Sequence, residues 1–406
     1  MKIGIEIQRL FRKQKYGIET SSLELIKKMQ ALDPKFQFVI LAARGDDKDC
    51  FTESEKFKVK TLAGDFFADF EQLFLPIAAK TEKLDLIHCT GNTTPYFCPV
   101  PIVQTLHDII FMDPIPRNDN MYQRFGNHYR RRLVPLVTPR SEAVITVSNY
   151  EKERIISRLS IDEKKIEVIY NGINTKHFKL CDSPKEKARI RLQYGLPEKF
   201  ILFLGNPSFR KNPTGVIEAY VMYASKVKNP LPLVTPGLTQ KYVMHELKRL
   251  NAEYNPQLFI SPGYIKEEDL PVVYGLSEVF LFPSLSEGFG MPIVEAMACG
   301  TPVITSKISS MPEIAGDAAL LIDPMSAPTI ADGLIEMLSN ENFRLDKIQD
   351  GLLNAKRFSW DITAEKVLAI YERILFPPTK NKVKSWKRNI LEPAFFFFNK
   401  PKTEES

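Results

Sequence analysis

The sequence predicts an α/β protein built as two sheet-bearing halves, and three observations carry that expectation. At 406 residues the chain is long enough for two domains of ordinary size. Its strand-like segments, such as the apolar run Val-Phe-Leu-Phe at 279–282, read as strands buried on both faces of a sheet. Several of these runs end in polar loops that lead into helix-start signals, the order expected of strand–turn–helix units.

Composition narrows the function classes. Hydrophobic residues make up 44% and charged residues 26%, the balance of a globular protein rather than a disordered one. No run of eighteen apolar residues occurs, so no membrane-spanning helix is expected. The opening MKIGIEI enters a strand at once and has no signal-peptide core. Cysteines stand at 50, 89, 98, 181 and 299 without C-x-x-C spacing, which favours reduced thiols and a cytoplasmic location over disulfides or a zinc site. Residues 377–406 hold seven Lys and Arg against three Glu, most of the net charge of +6. The rest is nearly neutral, so nucleic acid is not an expected partner.

In the first half, residues 2–7 read as a strand and 8–16 as a basic loop with Arg9, Arg12, Lys13 and Lys15. Ser21-x-x-Glu24 is a capping-box pattern for a helix carrying Leu23, Ile26 and Met29 inward. Only Gly17 stands where a dinucleotide-binding turn needs G-x-G-x-x-G, so no tightly held dinucleotide is expected. Residues 36–42 form a second strand. The acidic turn Asp46-Asp47-Lys48-Asp49 is read as solvated rather than metal-binding.

Strands at 84–88 and 101–106 end at a polar loop containing Asn92 and at His107-Asp108. Ligands of open α/β sheets bind beyond the carboxyl ends of strands, so His88 and His107 both stand where chemistry is expected. His88 is read as structural and His107 as functional. A helix at 120–137 carries Arg130-Arg131-Arg132, which face either solvent or anionic lipid. A strand at 143–147 precedes a second capping box, Ser148-x-x-Glu151. A last strand at 166–170 leads through Asn171-Gly172 into a polar connector that ends near Pro197.

In the second half a strand at 200–204 leads to a loop at 205–212, with Pro213 at a helix start. Arg210 and Lys211 thus lie at a helix N-terminus, where cations oppose the dipole. They fit better as partners of a bound diphosphate, Arg through its fork and Lys as a point charge. Strands follow at 231–235 and 259–265, the latter holding Pro262-Gly263-Tyr264, and then a helix at 267–276. In FPSLSEGFGMPIVEAMACGTP, residues 282–302, Gly288 and Gly290 allow a tight turn and close approach of backbone to a ligand. Pro292 suits a helix start and Gly300 its end. Glu287 and Glu295 are separated by seven residues and can accept hydrogen bonds from sugar hydroxyls. The alternative is a dipole-complementing Glu295 and a solvated Glu287; the pair, the glycines and the strand–helix–strand setting favour a site. Helices at 327–338 and from 359 onward close the chain, the second with Ile362, Val367, Ile370 and Tyr371 on one face.

This stretch resembles the E-x7-E signature of retaining nucleotide-sugar glycosyltransferases of family 4, and the likeness continues through TPVITSKISSMPEIAGDAALLIDP. TLHDIIFMDP, TVSNYEKERIISRLSIDEKKIEVIYNGIN and GNPSFRKN resemble other segments of the same family. The chain departs from it after Gly17-Ile18 and at Asn206, where many relatives carry Arg. The resemblance implies a GT-B fold, two facing Rossmann-like domains with a C-terminal crossover helix. Residues 1–180 with the helix 359–376 would form the acceptor-side domain, 195–357 the donor domain and 377–406 a basic aromatic tail. It implies His107, Arg210, Lys211 and Glu287 as catalytic residues. Gly263, Tyr264, Gly288, Phe289, Gly290, Met291 and Glu295 would bind the donor, with Gly17 and Asn92 on the acceptor side.

The expected donor is a nucleoside-diphosphate sugar, GDP-mannose first and a UDP-sugar second, used without a metal or other cofactor. The expected acceptor is a glycan or lipid-linked sugar of a cell-surface polysaccharide. The tail either anchors the enzyme to the anionic inner face of the cell membrane or packs on the first domain. A nucleotide-sugar epimerase of the same architecture would not normally need the E-x7-E pair. A non-catalytic surface-binding protein would not need Arg210, Lys211, Glu287 and Glu295 intact.

Overall fold

The computed structural model describes residues 1–64, 66–114, 121–253 and 255–377. The tail from 378 lies outside them, and with it both readings of that segment. The first seven strands are β1 (Lys2–Glu6), β2 (Gln37–Ala43), β3 (Phe57–Leu62), β4 (Leu86–Cys89), β5 (Ile102–Thr105), β6 (Ala143–Thr146) and β7 (Ile166–Val168). They form one sheet in the order β3-β2-β1-β4-β5-β6-β7. The second sheet contains β8 (Ile201–Leu202), β9 (Leu233–Val234), β10 (Phe259–Ile260), β11 (Val279–Phe282), β12 (Val303–Ser306) and β13 (Ala319–Ile322). Its order is β10-β9-β8-β11-β12-β13. All pairings are parallel.

Both sheets are doubly wound, and the strand order reverses between β1 and β4 and again between β8 and β11. The crevice at such a switch point, beyond the carboxyl ends, is where this architecture places ligands. The central strands β4, β6, β11 and β12 are buried at every residue, as helices on both sides require.

The helix Trp360–Leu375 returns to the first domain. Its Trp360, Ala364, Val367, Ile370 and Tyr371 share one core with Ile3, Ile5, Phe36 and Phe38. The chain crosses itself closely there: the Ile173 N–H donates to the Phe358 carbonyl at 3.1 Å. A Cβ on Gly172 would lie 2.2 Å from the Trp360 nitrogen, so the crossing admits only glycine. Beneath it His88 is fully buried, with Nδ1 2.6 Å from the Tyr371 hydroxyl and Nε2 2.7 Å from Thr105 Oγ1. Burial pushes its pKa down to about 3, so it is a neutral link between the crossover helix and β5.

Local expectations fail where a stronger partner intervenes. The first helix starts at Gly17, not after Ser21, because Glu19 accepts from the Tyr16 N–H at 3.2 Å and closes the turn four residues early. Ser21 is therefore a buried residue of the helix interior. The polar connector contains a helix, Pro184–Tyr194, capped by Ser183 Oγ on the Glu186 N–H. Sequence reading also missed β3, β13 and the helix Glu341–Ala355. The strands β9 and β10 are only two residues each, shorter than the segments 231–235 and 259–265 expected from the sequence.

Asp47 is taken up by an ion pair with Lys15, and Asp46 lies 3.9 Å from Lys13, so the acidic turn neutralises the basic loop. The arginine cluster is not simply a solvated face: Arg131 donates to the carbonyls of Phe111 and Asp113 and holds that loop. Among the described residues no helix is long and apolar enough to cross a membrane.

Candidate active site

The two switch points face each other across a cavity of about 790 Å³ lined by both domains. On the second-domain side, β8 leads to a short turn, Phe209–Lys211, which Asn212 ends in the left-handed conformation at φ 57° before the helix Pro213–Lys226. The Arg210 carbonyl accepts from the Leu285 N–H at 2.7 Å, which fastens this turn to the loop after β11. Arg210 Nη1 donates to Glu287 Oε2 at 2.6 Å and Lys211 Nζ to Glu287 Oε1 at 2.6 Å. Lys211 also stands 4.6 Å from the centre of the Phe282 ring. Glu287 is thus bridged by two cations.

Burial alone would raise the Glu287 carboxyl, but Lys211 and Arg210 outweigh it and hold the pKa below its ordinary value. Burial lowers Lys211 despite the same ion pair, and the positive charge of Arg210 beside it adds to the lowering. Glu287 is therefore a carboxylate at neutral pH. The solvated-loop reading of Glu287 is overturned, since the residue is buried.

The turn that carries Glu287 is held from beneath. Ser309 Oγ accepts from the Glu287 N–H at 3.0 Å and donates to its carbonyl at 2.9 Å. Ser310 Oγ reaches the carbonyls of Glu287 and Phe289, both at 2.9 Å. Gly290, at φ 104°, turns the chain into the helix Met291–Ala298. Glu295 is the fifth residue of that helix, so it lies beyond the first turn and does not serve the dipole. It lines the cavity, accepts from the Tyr274 hydroxyl at 2.9 Å, and is pushed up by burial to about 7.

The first domain supplies the opposite wall. The His107 N–H donates to Asn92 Oδ1 at 2.7 Å, and His107 Nε2 lies 3.1 Å from the Thr90 carbonyl. That contact places a proton on Nε2, and burial lowers the pKa, so the ring is neutral. Asn92 does not line the cavity; it orients His107 from behind, with φ 70° at its own backbone. Gly17 lines the cavity at the start of its helix.

The glycine turn makes a contact that sequence reading assigned to a ligand. A Cβ on Gly288 would sit 2.4 Å from the His107 carbonyl oxygen, so the backbone that Gly288 lets approach is that of the other domain. Phe289, Gly290 and Met291 line the cavity beside it. Gly263 and Tyr264 do not: their loop follows β10 at the sheet edge, and Tyr264 is 68% exposed.

Comparison with known proteins agrees with this geometry. Residues 16–177 match the family model "Glycosyltransferase Family 4", and residues 184–351 match "Glycosyl transferases group 1". The chain belongs to glycosyltransferase family 4. As a member it is a hexosyltransferase of GT-B fold.

Among curated relatives, this glycosyltransferase is 28% identical over 274 residues to an Escherichia coli O-antigen chain mannosyltransferase B, covering 66% of this chain and 70% of the relative. It is 28% identical over 254 residues to the E. coli serotype-specific mannosyltransferase WbdA, covering 62% of this chain but only 31% of that longer protein. The fold is similar to Anabaena HepE, solved in complex with UDP and glucose, with TM-score 0.68 and 19% identity, covering 92% of this chain and 99% of that one.

The glycosyltransferase cleft contains groups that sequence reading did not single out. Glu6 ends β1, and its carboxylate accepts from the N–H groups of Gln8 at 2.7 Å and Thr90 at 3.3 Å. Glu71 accepts from Thr93, from Gln72 Nε2 at 2.8 Å and from the Tyr129 hydroxyl at 3.1 Å. Burial raises both carboxyls, Glu71 to about 7. A signal for Glu6 was present, a carboxylate closing the first buried strand. For Glu71 there was none, since it sits in a helical segment at 67–81 without a motif.

Proposed function

We propose that the enzyme transfers a mannosyl residue from GDP-mannose to the sugar end of a glycan or lipid-linked acceptor in cell-surface polysaccharide synthesis, with retention at the anomeric carbon and without a metal ion. The observation that carries the reading is Arg210 and Lys211 paired with the buried Glu287 carboxylate, facing neutral His107 across one cavity. The names of the two E. coli mannosyltransferases support mannose, and the UDP and glucose held by HepE keep a UDP-sugar as the second choice.

The chemistry follows from where charge develops. When the bond from the sugar C1 to the diphosphate oxygen breaks, negative charge grows on the leaving diphosphate. Arg210 and Lys211 sit where preorganised cations stabilise it, which supplies the role a metal would otherwise take. The diphosphate competes with Glu287 for these two cations, and the Glu287 oxygens so released accept from hydroxyls of the sugar. Glu295 accepts from the ribose. A new bond forms from the acceptor oxygen to C1 on the face the diphosphate leaves. The acceptor's proton passes to a phosphate oxygen of the departing nucleoside diphosphate. His107, held as a neutral ring, orients the sugar.

A thermal-shift panel of GDP, UDP and their sugars tests the reading. At 100 times its dissociation constant a true ligand stabilises by about 2.7 kcal/mol. GDP-mannose is expected to give the largest shift, with transfer to a mannose-terminated oligosaccharide read by NMR as a product of retained configuration. A shift with UDP-sugars alone would replace the donor, and no shift with any nucleoside diphosphate would remove the site.

A further inference from the structure

The helix Asn149–Leu159 follows β6 after two residues, Val147 and Ser148, on the first domain. The N–H groups of a helix's first turn lack partners within the helix. Ser148 Oγ takes one of them, from Glu151, at 3.2 Å. Two more point into the second domain, where a single carboxylate receives them. Glu313 Oε1 accepts from the Asn149 N–H at 2.7 Å and Oε2 from the Tyr150 N–H at 3.0 Å. Asn149 Nδ2 and the Tyr170 hydroxyl also donate to Oε1, each at 2.8 Å. Four first-domain donors therefore converge on one side chain of the other domain, and the negative charge meets the positive end of the helix dipole.

Both ends of this contact lead to the site. Glu313 lies three residues beyond Ser310, whose hydroxyl holds the carbonyls of Glu287 and Phe289. The helix it caps carries Glu151, which accepts from the Ile109 N–H at 3.1 Å and so fixes the loop after His107. Ser148 adds a direct hook, donating to the Gly288 carbonyl at 2.7 Å. The two paths meet where Gly288 lies against the His107 carbonyl.

We infer that Glu313 is a positioning residue for transfer: it clamps the first domain onto the second and sets His107 against the turn at 287–291. It touches neither substrate. Its effect is on the joining of two half-sites, each of which remains intact without it.

The inference rests on the transfer reaction but not on the identity of the donor, so the test uses whichever nucleotide sugar the wild type turns over. Glu313→Gln keeps shape but presents an amide N–H₂ to a ring of N–H donors. It is expected to lower kcat tenfold or more while the dissociation constant of the free nucleoside diphosphate changes less than twofold and the melting temperature stays within a few degrees. Glu313→Asp, which keeps the charge, is expected to recover part of the lost kcat. A kcat within twofold of wild type overturns the inference. So does a loss of nucleoside-diphosphate affinity in step with kcat, which would make Glu313 a support of the second domain alone. If no donor is turned over, the functional reading fails by itself, and small-angle scattering decides the clamp: Glu313→Gln is expected to enlarge the radius of gyration, and an unchanged radius overturns it.

Discussion

At the first sheet's switch point the cavity wall is built from carboxylates held by neutral donors: Glu6 by backbone N–H groups, Glu71 by a threonine, a glutamine and a tyrosine. At the second sheet's switch point the carboxylate Glu287 is held by two cations. Burial is nearly complete in both places, yet Glu71 rises to about 7 while Glu287 falls below its ordinary value. The strand order around both points is the same through six strands. The architecture therefore sets where ligands go, and the partners of each carboxylate set what can go there. Cations suit a diphosphate; carboxylates with spare lone pairs suit hydroxyl donors.

The strongest way to break this contrast is to empty the cationic side. Lys211→Ala is expected to lower turnover by roughly a hundredfold or more, the scale of losing one preorganised electrostatic donor. The fold is expected to survive, because Lys211 sits in a turn and not in a sheet. Steady-state rates measured beside a melting curve check it, and turnover within twofold of wild type would remove Lys211 from the site.

The next effect separates the halves rather than emptying one. In Gly288→Ala the new Cβ meets a backbone carbonyl 2.4 Å away, which cannot yield as a flexible side chain would. The domains must part by a fraction of an ångström or more. Misplacement on that scale costs up to about a hundredfold in rate. Binding of a free nucleoside diphosphate, which needs only the second half, is expected to hold, and calorimetry beside kinetics shows whether it does.

That asymmetry bears on what the sequence could reveal. The second domain's site was legible because its parts are adjacent in the chain and chemically conspicuous: Arg210-Lys211 at a helix start, and Glu287 to Glu295 around two glycines. Of the first domain's site only His107 and Gly17 were legible, because Glu6 and Glu71 come from other segments without a motif and reach the same wall only through the fold. Contacts across the cleft were the least visible. Nothing local to Gly288 says that it faces His107, and nothing local to Glu313 says that it caps a helix of the other domain. The strand β3 was missed for another reason: it has an exposed face as well as a buried one and lacks the continuous apolar run of the central strands, whereas β13 carries such a run, Ala-Leu-Leu-Ile, and was legible but passed over.

The two carboxylates of the signature sharpen the contrast within the second domain. Glu295, raised to about 7, is largely protonated below neutrality, whereas Glu287 stays ionised. If the Glu295 anion accepts from a ribose hydroxyl, nucleoside-diphosphate affinity should weaken several-fold as pH falls from 8 to 6. Glu295→Gln should flatten that dependence and weaken binding at pH 8. Glu287→Gln should instead impair transfer from the intact donor and leave the pH dependence of nucleotide binding in place. Titration calorimetry at three pH values distinguishes the two, and a reversed pattern would exchange their roles.

The smallest effect concerns stability, and its sign is the informative part. Glu71 has its pKa raised from 4.5 to about 7 by burial. A group raised on folding contributes fully below its unfolded value and loses that contribution as pH rises through the folded one. Glu71 thus costs the wild type nothing at pH 4 and up to about 3 kcal/mol by pH 8. Glu71→Gln removes the buried charge but leaves an amide group that must find an acceptor, so only part of this returns, about 1 kcal/mol. In a chain of 406 residues that is a rise of roughly 1 °C in melting temperature at pH 8, closing toward zero by pH 5. A melting temperature that falls at pH 8 would show that the ionised carboxylate is itself stabilised, and that the first domain's wall resembles the second's more closely than its neutral donors imply.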